Sequence, residues 1–180
     1  MVMKIFFISY ISNNIIDELC GNVKEKGFRY KSICSFYYNV LLSFSKAING
    51  LKELINTYSQ IKNNCDGMIT QLSELQTIYK SHTLEENKVY FYEKRQRYNE
   101  LKVNGNDAGN LEKAALFIFL NKTCFNGLYR VNSKGLFNVP FNNAKNPLLC
   151  DEENLRACSE VLQNVEMRVG DYKECKDFID

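Results

Sequence analysis

Residues 121–141 read NKTCFNGLYRVNSKGLFNVPF. The stretch sets an Asn126-Gly127 pair, Arg130, Gly135 and Pro140 among aromatic and aliphatic residues. It is too polar for a core strand and too apolar for an ordinary loop. Residues 128–132 and 136–140 read as two short strands. The Ser133-Lys134-Gly135 turn joins them, and Gly135 takes a positive φ there without steric cost. Pro140 has no N–H to give to a ladder, so it ends the second strand or lies on an edge. The expectation is a hairpin at residues 128–140. Two uses for it stay open: capping a helical bundle, or reading nucleic acid. A two-stranded ribbon fits the major groove, and the planar fork of arginine matches the two acceptors on guanine's edge. Asparagines and backbone amides suit phosphate and sugar contacts. Phe125, immediately before the Asn-Gly turn, has the shape of a wedge against a base pair.

Upstream of the hairpin the helical period is clear. Ile48, Leu51, Leu54, Ile55, Tyr58 and Ile61 recur at steps of three and four. A second helix carries Met68, Ile69, Leu72, Leu75 and Tyr79 on one face, and a third over residues 86–102 is basic and aromatic. VNGNDAGN reads as a loop. LEKAALFIFLNK is apolar nearly all round and is expected to be buried. Downstream, Asp151 reads as the N-cap of a helix with Leu155, Cys158, Leu162 and Val165 on one face. VEMRVGDY reads as a short strand running into an acidic turn. Residues 1–45 read as short apolar runs broken by polar clusters.

Composition narrows the classes. The chain has 180 residues, a net charge of +2 and 45% hydrophobic residues, enough for a core and too balanced for a large basic field. Any nucleic-acid contact must therefore come from a local patch. The seven cysteines are odd in number and form no CxxC, and the chain has one histidine, so reduced thiols in a cytoplasm are expected. The start MVMKIFFISY has Lys4 before an apolar run, like a weak signal peptide, but the run is short and no small-residue cleavage site follows. No segment reaches the length of a membrane span.

Other candidates carry two readings each. YEKRQRY at 92–98 is a solvated helix face, or Lys94, Arg95 and Arg97 contact phosphates. His82 has no partner in local sequence and reads as packing or surface. Cys124 has no basic neighbour to make a thiolate and reads as packing. Asp171 is a turn former, or a carboxylate at a strand end where open α/β sheets place ligands.

The run AALFIFLNKTCFNGLYRVNSKGLFNVPF, with the following NP and ENL, resembles the Dam-like family of adenine-specific DNA methyltransferases. YFYEKRQRYNEL and LKELINTYSQIKNN resemble family segments too, so the likeness covers residues 46–180. The resemblance implies an α/β family fold: a Rossmann-like methyltransferase domain with an inserted, mostly helical target-recognition domain. It divides this chain into residues 1–45 as a degenerate piece of the cofactor domain, 46–165 as the target-recognition domain, and 166–180 as the return to the catalytic domain. This chain should then be mostly helical, with a hairpin and a few short strands.

The implied activity is methyl transfer from S-adenosylmethionine to the amino group of an adenine flipped out of double-stranded DNA. Family members commonly recognise GATC, and many accompany restriction enzymes. By motif, Arg130 matches the arginine that contacts guanine. Leu128 and Pro140 match apolar base contacts, and Phe125 matches an aromatic that inserts at the flipped-base site. Asn126 matches a turn asparagine on the DNA backbone, and Asn132 joins the DNA-binding set. Asp171 and Tyr172 match the strand-end motif that contacts the cofactor's adenosine.

The sequence departs from the family in four places, one being the lysine-containing N-terminal cofactor motif, which is not recognisable. SICSFYYNVLLSF, where a Gly-rich cofactor turn belongs, contains no glycine. Asn49 stands about where an acidic cofactor contact is expected. The catalytic Asp-Pro-Pro-Tyr loop would follow KDFID, where the sequence stops. The expectation is a truncated methyltransferase that keeps target recognition. This chain alone is not expected to transfer methyl groups, and its partners would be duplex DNA and a separately encoded catalytic half. The competing expectations are a non-catalytic DNA-binding module and a non-functional remnant.

Overall fold

The structure, a computed structural model, describes residues 3–7, 48–104 and 110–169. Among these the chain is mostly helical, as expected. The helices are α1 (Ile48–Asn63), α2 (Cys65–Ser81), α3 (Leu84–Val103), α4 (Leu111–Thr123) and α5 (Glu152–Leu162). Two strands, β1 (Met3–Phe7) and β2 (Val165–Val169), pair in parallel, with Met3 opposite Val165 and Phe7 opposite Val169. A parallel pair needs a crossover connection. Here the connection contains all five described helices.

The core is built around α4. Each residue from Lys113 to Asn121 is buried, and α1, α2 and α3 all pack on this helix. A helix apolar on every side can satisfy its surface only by such enclosure. Phe119 meets Tyr79 of α2 and Tyr90 of α3 edge-on, with ring centroids 6.2 and 5.5 Å apart. These geometries place ring edges against ring faces, the favoured arrangement for aromatic quadrupoles.

Helix ends follow local chemistry. Thr83 and Glu86 form a reciprocal capping box, so α3 begins at Leu84, ahead of the periodic pattern at 86. Asp151 caps α5 as expected, accepting from the Asn154 N–H at 3.3 Å. The connection before α5 is fixed by α2: Gln76 donates to the Pro147 carbonyl at 3.0 Å and accepts from the Leu149 N–H at 2.6 Å. Lys62 at the end of α1 donates to the Val165 carbonyl at 2.7 Å, which ties the start of β2 to the bundle.

β2 is the VEMRV part of the strand expectation; Val165, expected on the apolar face of α5, instead opens this strand, because α5 ends at Leu162. Asp171 and Tyr172 lie outside the described residues, as do residues 8–47, including the SICSFYYNVLLSF segment. Of the start that resembles a weak signal peptide, Met3–Phe7 is the strand β1.

Candidate nucleic-acid interface

The expected strands at 128–132 and 136–140 do not form as regular strands. The hairpin is closed by single antiparallel bridges, Val131 to Phe137 and Cys124 to Phe141. Side chains take over the pairing that a neighbouring strand would supply. Asn99 of α3 donates from Nδ2 to the Phe137 carbonyl at 3.1 Å and accepts the Phe137 N–H at 2.8 Å. Arg95, one turn earlier, donates to the Val139 carbonyl at 3.3 Å. Pro140 has no N–H to offer. The 137–139 arm therefore lies along a helix and not in a sheet.

Both turns have a clear cause. Asn126 and Gly127 have φ of +53° and +61°, and the Leu128 N–H donates to the Phe125 carbonyl at 3.2 Å. Two successive positive φ values define a type I′ turn, for which Asn-Gly is the preferred pair. Asn121 of α4 holds this turn by donating to the Gly127 carbonyl at 2.5 Å. At the hairpin tip Gly135 has φ +75°. The Asn132 side chain accepts from the N–H groups of Lys134 and Leu136, both at 3.0 Å. Such an Asx turn fixes the tip from within.

Arg130 is exposed and lies across the hairpin from Asn138. Its Nε donates to Asn138 Oδ1 at 2.9 Å, and one Nη2 hydrogen is directed to the Asn138 carbonyl at 3.3 Å. The Asn138 N–H donates in turn to the Arg130 carbonyl at 3.1 Å. Phe125 is 51% exposed, although its neighbour Cys124 is fully buried. Asn126 and Pro140 are exposed, and Leu128 is half-buried. Phe125 and Pro140 are joined by a bond from the Phe125 N–H to the Pro140 carbonyl at 2.9 Å. The fold thus brings the Asn-Gly turn next to the far end of the hairpin.

Beneath Arg130, the adjacent Tyr129 points inward. Its hydroxyl accepts from Lys102 Nζ at 3.0 Å, and Lys102 pairs with Glu53 at 3.0 Å. Lys113 approaches the same carboxylate oxygen at 3.9 Å. Glu53 and Lys113 are 4% and 1% exposed. This cluster joins α1, α3, α4 and the hairpin. Burial drives the Tyr129 hydroxyl far above the usual phenol range, with the Glu53 charge adding to the shift.

The basic stretch of α3 divides. Arg97 makes a two-bond pair with Glu112, 2.8 Å on each arm. The Arg97 contact holds the Glu112 carboxyl below its usual range. Arg95 lies over Tyr92 at 4.6 Å while it holds Val139, and Lys94 lies over Tyr90 at 5.0 Å. Of the three candidates for phosphate contact, Arg97 and Arg95 are engaged within the fold. Cys124 is packing, as expected: burial pushes its thiol up to about 12. His82 packs edge-on against Tyr90 at 5.3 Å.

Three residues in the site lay outside the sequence expectations: Asn99, Asn121 and Asn138. The signal for Asn99 was its spacing. Arg95 and Asn99 stand four apart on a helix whose Phe91, Tyr98 and Leu101 are buried, and a polar pair at that spacing shares a face. Asn121 ends the buried run of α4. Asn138 sits between buried Phe137 and Val139, so alternation along the arm turns it outward, beside Arg130.

The described residues thus form a helical scaffold around buried α4 that holds the exposed Arg130 on a braced hairpin, with the half-exposed Phe125 at the Pro140 end of that hairpin. The chain belongs to the D12 class of N6 adenine-specific DNA methyltransferases, whose sequence profile matches residues 48–179. It is 38% identical over 182 residues to the type II methyltransferase M.MjaIII of Methanocaldococcus jannaschii, covering 98% of this chain and 62% of that protein. The type II methyltransferase M1.LlaDCHI of Lactococcus lactis is 37% identical over 68% of this chain and 40% of its own length. A DNA adenine methylase of Haemophilus influenzae is 30% identical over 71% of this chain and 41% of its own. The chain spans less than two thirds of the length of these relatives.

The methyl donor of this family is S-adenosylmethionine. Asp171, Tyr172 and the 32–44 segment, which the resemblance assigns to the cofactor, lie outside the described residues. Glu53, a carboxylate near the start of α1, is buried against Lys102 and is not open to a ribose.

Proposed function

We propose that residues 48–169 are the target-recognition part of an S-adenosylmethionine-dependent DNA adenine methyltransferase that acts on duplex DNA, with GATC as the site read. The observation that carries this reading is Arg130: an exposed guanidinium fixed on a hairpin that is itself braced against α3. An arginine so held suits bidentate contact with the O6 and N7 acceptors of a guanine in the major groove. Leu128 and Pro140 supply apolar contacts to neighbouring base edges. Asn126 and the Nδ2 end of Asn132 supply donors for backbone phosphates. Phe125 fills the space that a flipped adenine leaves in the stack.

The parallel β1–β2 pair supports the finer fold reading, a Rossmann-like cofactor domain that the chain leaves after β1 and rejoins at β2. Asp171 and Tyr172, just past β2, would then face the cofactor at the carboxyl end of a strand. The remaining catalytic groups belong to a part of the enzyme homologous to the unmatched length of M.MjaIII, carried on the same or a separate chain. Action in the cytoplasm, as the modification half of a restriction pair, completes the reading. Among the described residues no helix is long and apolar enough to cross a membrane.

The test is fluorescence-anisotropy titration of the chain with a GATC duplex and a scrambled duplex over a salt series. Expected are affinity that falls with salt and a preference for GATC. Arg130→Ala should remove about 1–3 kcal/mol of that preference. Equal affinity of wild type and Arg130→Ala for every duplex would refute the reading.

A further inference from the structure

Resting on the reading of Arg130 as the guanine contact, we propose that Asn138 is a specificity-determining residue that positions the arginine. Arginine carries five N–H donors in a rigid plane. Nε and Nη2 form one side of that plane, and both are directed to Asn138, at 2.9 Å to its Oδ1 and 3.3 Å to its carbonyl. This leaves the terminal Nη1–Nη2 end for a ligand, the end whose two parallel donors match a pair of acceptors on one base edge. An unsupported arginine side chain samples many rotamers and loses that freedom on binding. Here the rotamer is chosen before DNA arrives.

Asn138 is itself fixed. Its N–H donates to the Arg130 carbonyl at 3.1 Å, and its neighbour Phe137 is held at both backbone groups by Asn99. Two asparagines thus connect a rigid helix to the guanidinium: Asn99 sets the arm, and Asn138 sets the arginine on it. An aspartate at 138 would still accept from Nε. A leucine, with the same branched shape but no acceptor, would not.

The experiment uses the full chain and a duplex panel made of GATC and each of its single base-pair substitutions. Asn138→Leu should lower discrimination about three- to tenfold at the base pair where Arg130→Ala acts, and leave the other positions unchanged. Asn138→Asp should weaken binding to all duplexes through its added charge, yet keep the discrimination ratio. A uniform loss on every duplex in Asn138→Leu would mean a phosphate contact or a folding defect and would overturn the proposal. If Arg130→Ala itself leaves discrimination intact, the reading of Arg130 fails, and this inference fails with it.

A second measurement needs no DNA. The Nε–H NMR signal of Arg130, identified by its loss in Arg130→Lys, should be protected from exchange in wild type and Asn138→Asp but not in Asn138→Leu. Equal protection in Asn138→Leu would overturn the positioning role.

Discussion

Asn99 and Phe137 pair as though Asn99 were a strand: its side-chain amide meets both the carbonyl and the N–H of Phe137, at 3.1 and 2.8 Å. Thirty-eight residues separate them in sequence. The pairing explains why the hairpin needs no sheet. One arm takes its missing partners from a helix, and the helix is anchored in the aromatic core through Phe91 and Tyr98.

Asn99→Ala removes both bonds and leaves two backbone groups of a buried residue unmet. The expected loss is about 2–3 kcal/mol, and Asn99→Asp should not spare it, because it keeps the acceptor but sets a carboxylate oxygen against the Phe137 carbonyl. Urea unfolding at constant m-value measures it. A change in Asn99→Ala within about 0.5 kcal/mol of zero would contradict the clamp.

Lys102 links Glu53 to Tyr129 inside the bundle. Lys102→Met takes the nearer of two lysines from a buried carboxylate, leaves Lys113 at 3.9 Å, and should cost about 2–4 kcal/mol. Adding Glu53→Gln to Lys102→Met should recover part of that loss. Strictly additive single and double variants would show that the two residues are not coupled.

Alkaline pH should destabilise the fold. The Cys124 thiol ionises at about 12 in the native state and at about 8.5 when unfolded. The native state therefore holds a proton that the unfolded chain releases. Its contribution is complete below about pH 8.5 and is lost as pH rises towards the native value. Tyr79 and Tyr90, both raised by burial to about 12, act in the same direction above about pH 10. Urea midpoints between pH 8 and 11 should decline, and less steeply for Cys124→Ala. Identical slopes for the two proteins would remove Cys124 from the account.

Phe125 is exposed, so Phe125→Ala should change stability by no more than about 0.5 kcal/mol. On the proposed function its effect belongs on DNA. With 2-aminopurine at the adenine of GATC, wild type should raise the fluorescence on binding by unstacking the base, and Phe125→Ala should raise it less. An undiminished rise in the variant would exclude Phe125 as the wedge.

Much of the molecule was legible in one dimension. Three helices, α1, α2 and α5, followed from apolar spacing, burial of α4 from its all-round apolarity, and the α5 start from Asp151 as a cap. The Asn126-Gly127 and Ser133–Gly135 turns followed from residues that accept positive φ. These features depend on neighbours a few positions apart, so the sequence by itself determined them. The hairpin's strands were overread, because a strand is completed by whatever lies beside it. Only the tertiary structure decided that its neighbour is α3, that Arg97 faces Glu112 while Arg95 faces Val139, and that Asn138 grips Arg130. Each of these contacts joins residues that differ in which face of an element they occupy. The packing of α3 and α4 fixes those faces, and with them which polar groups brace the hairpin and which face solvent.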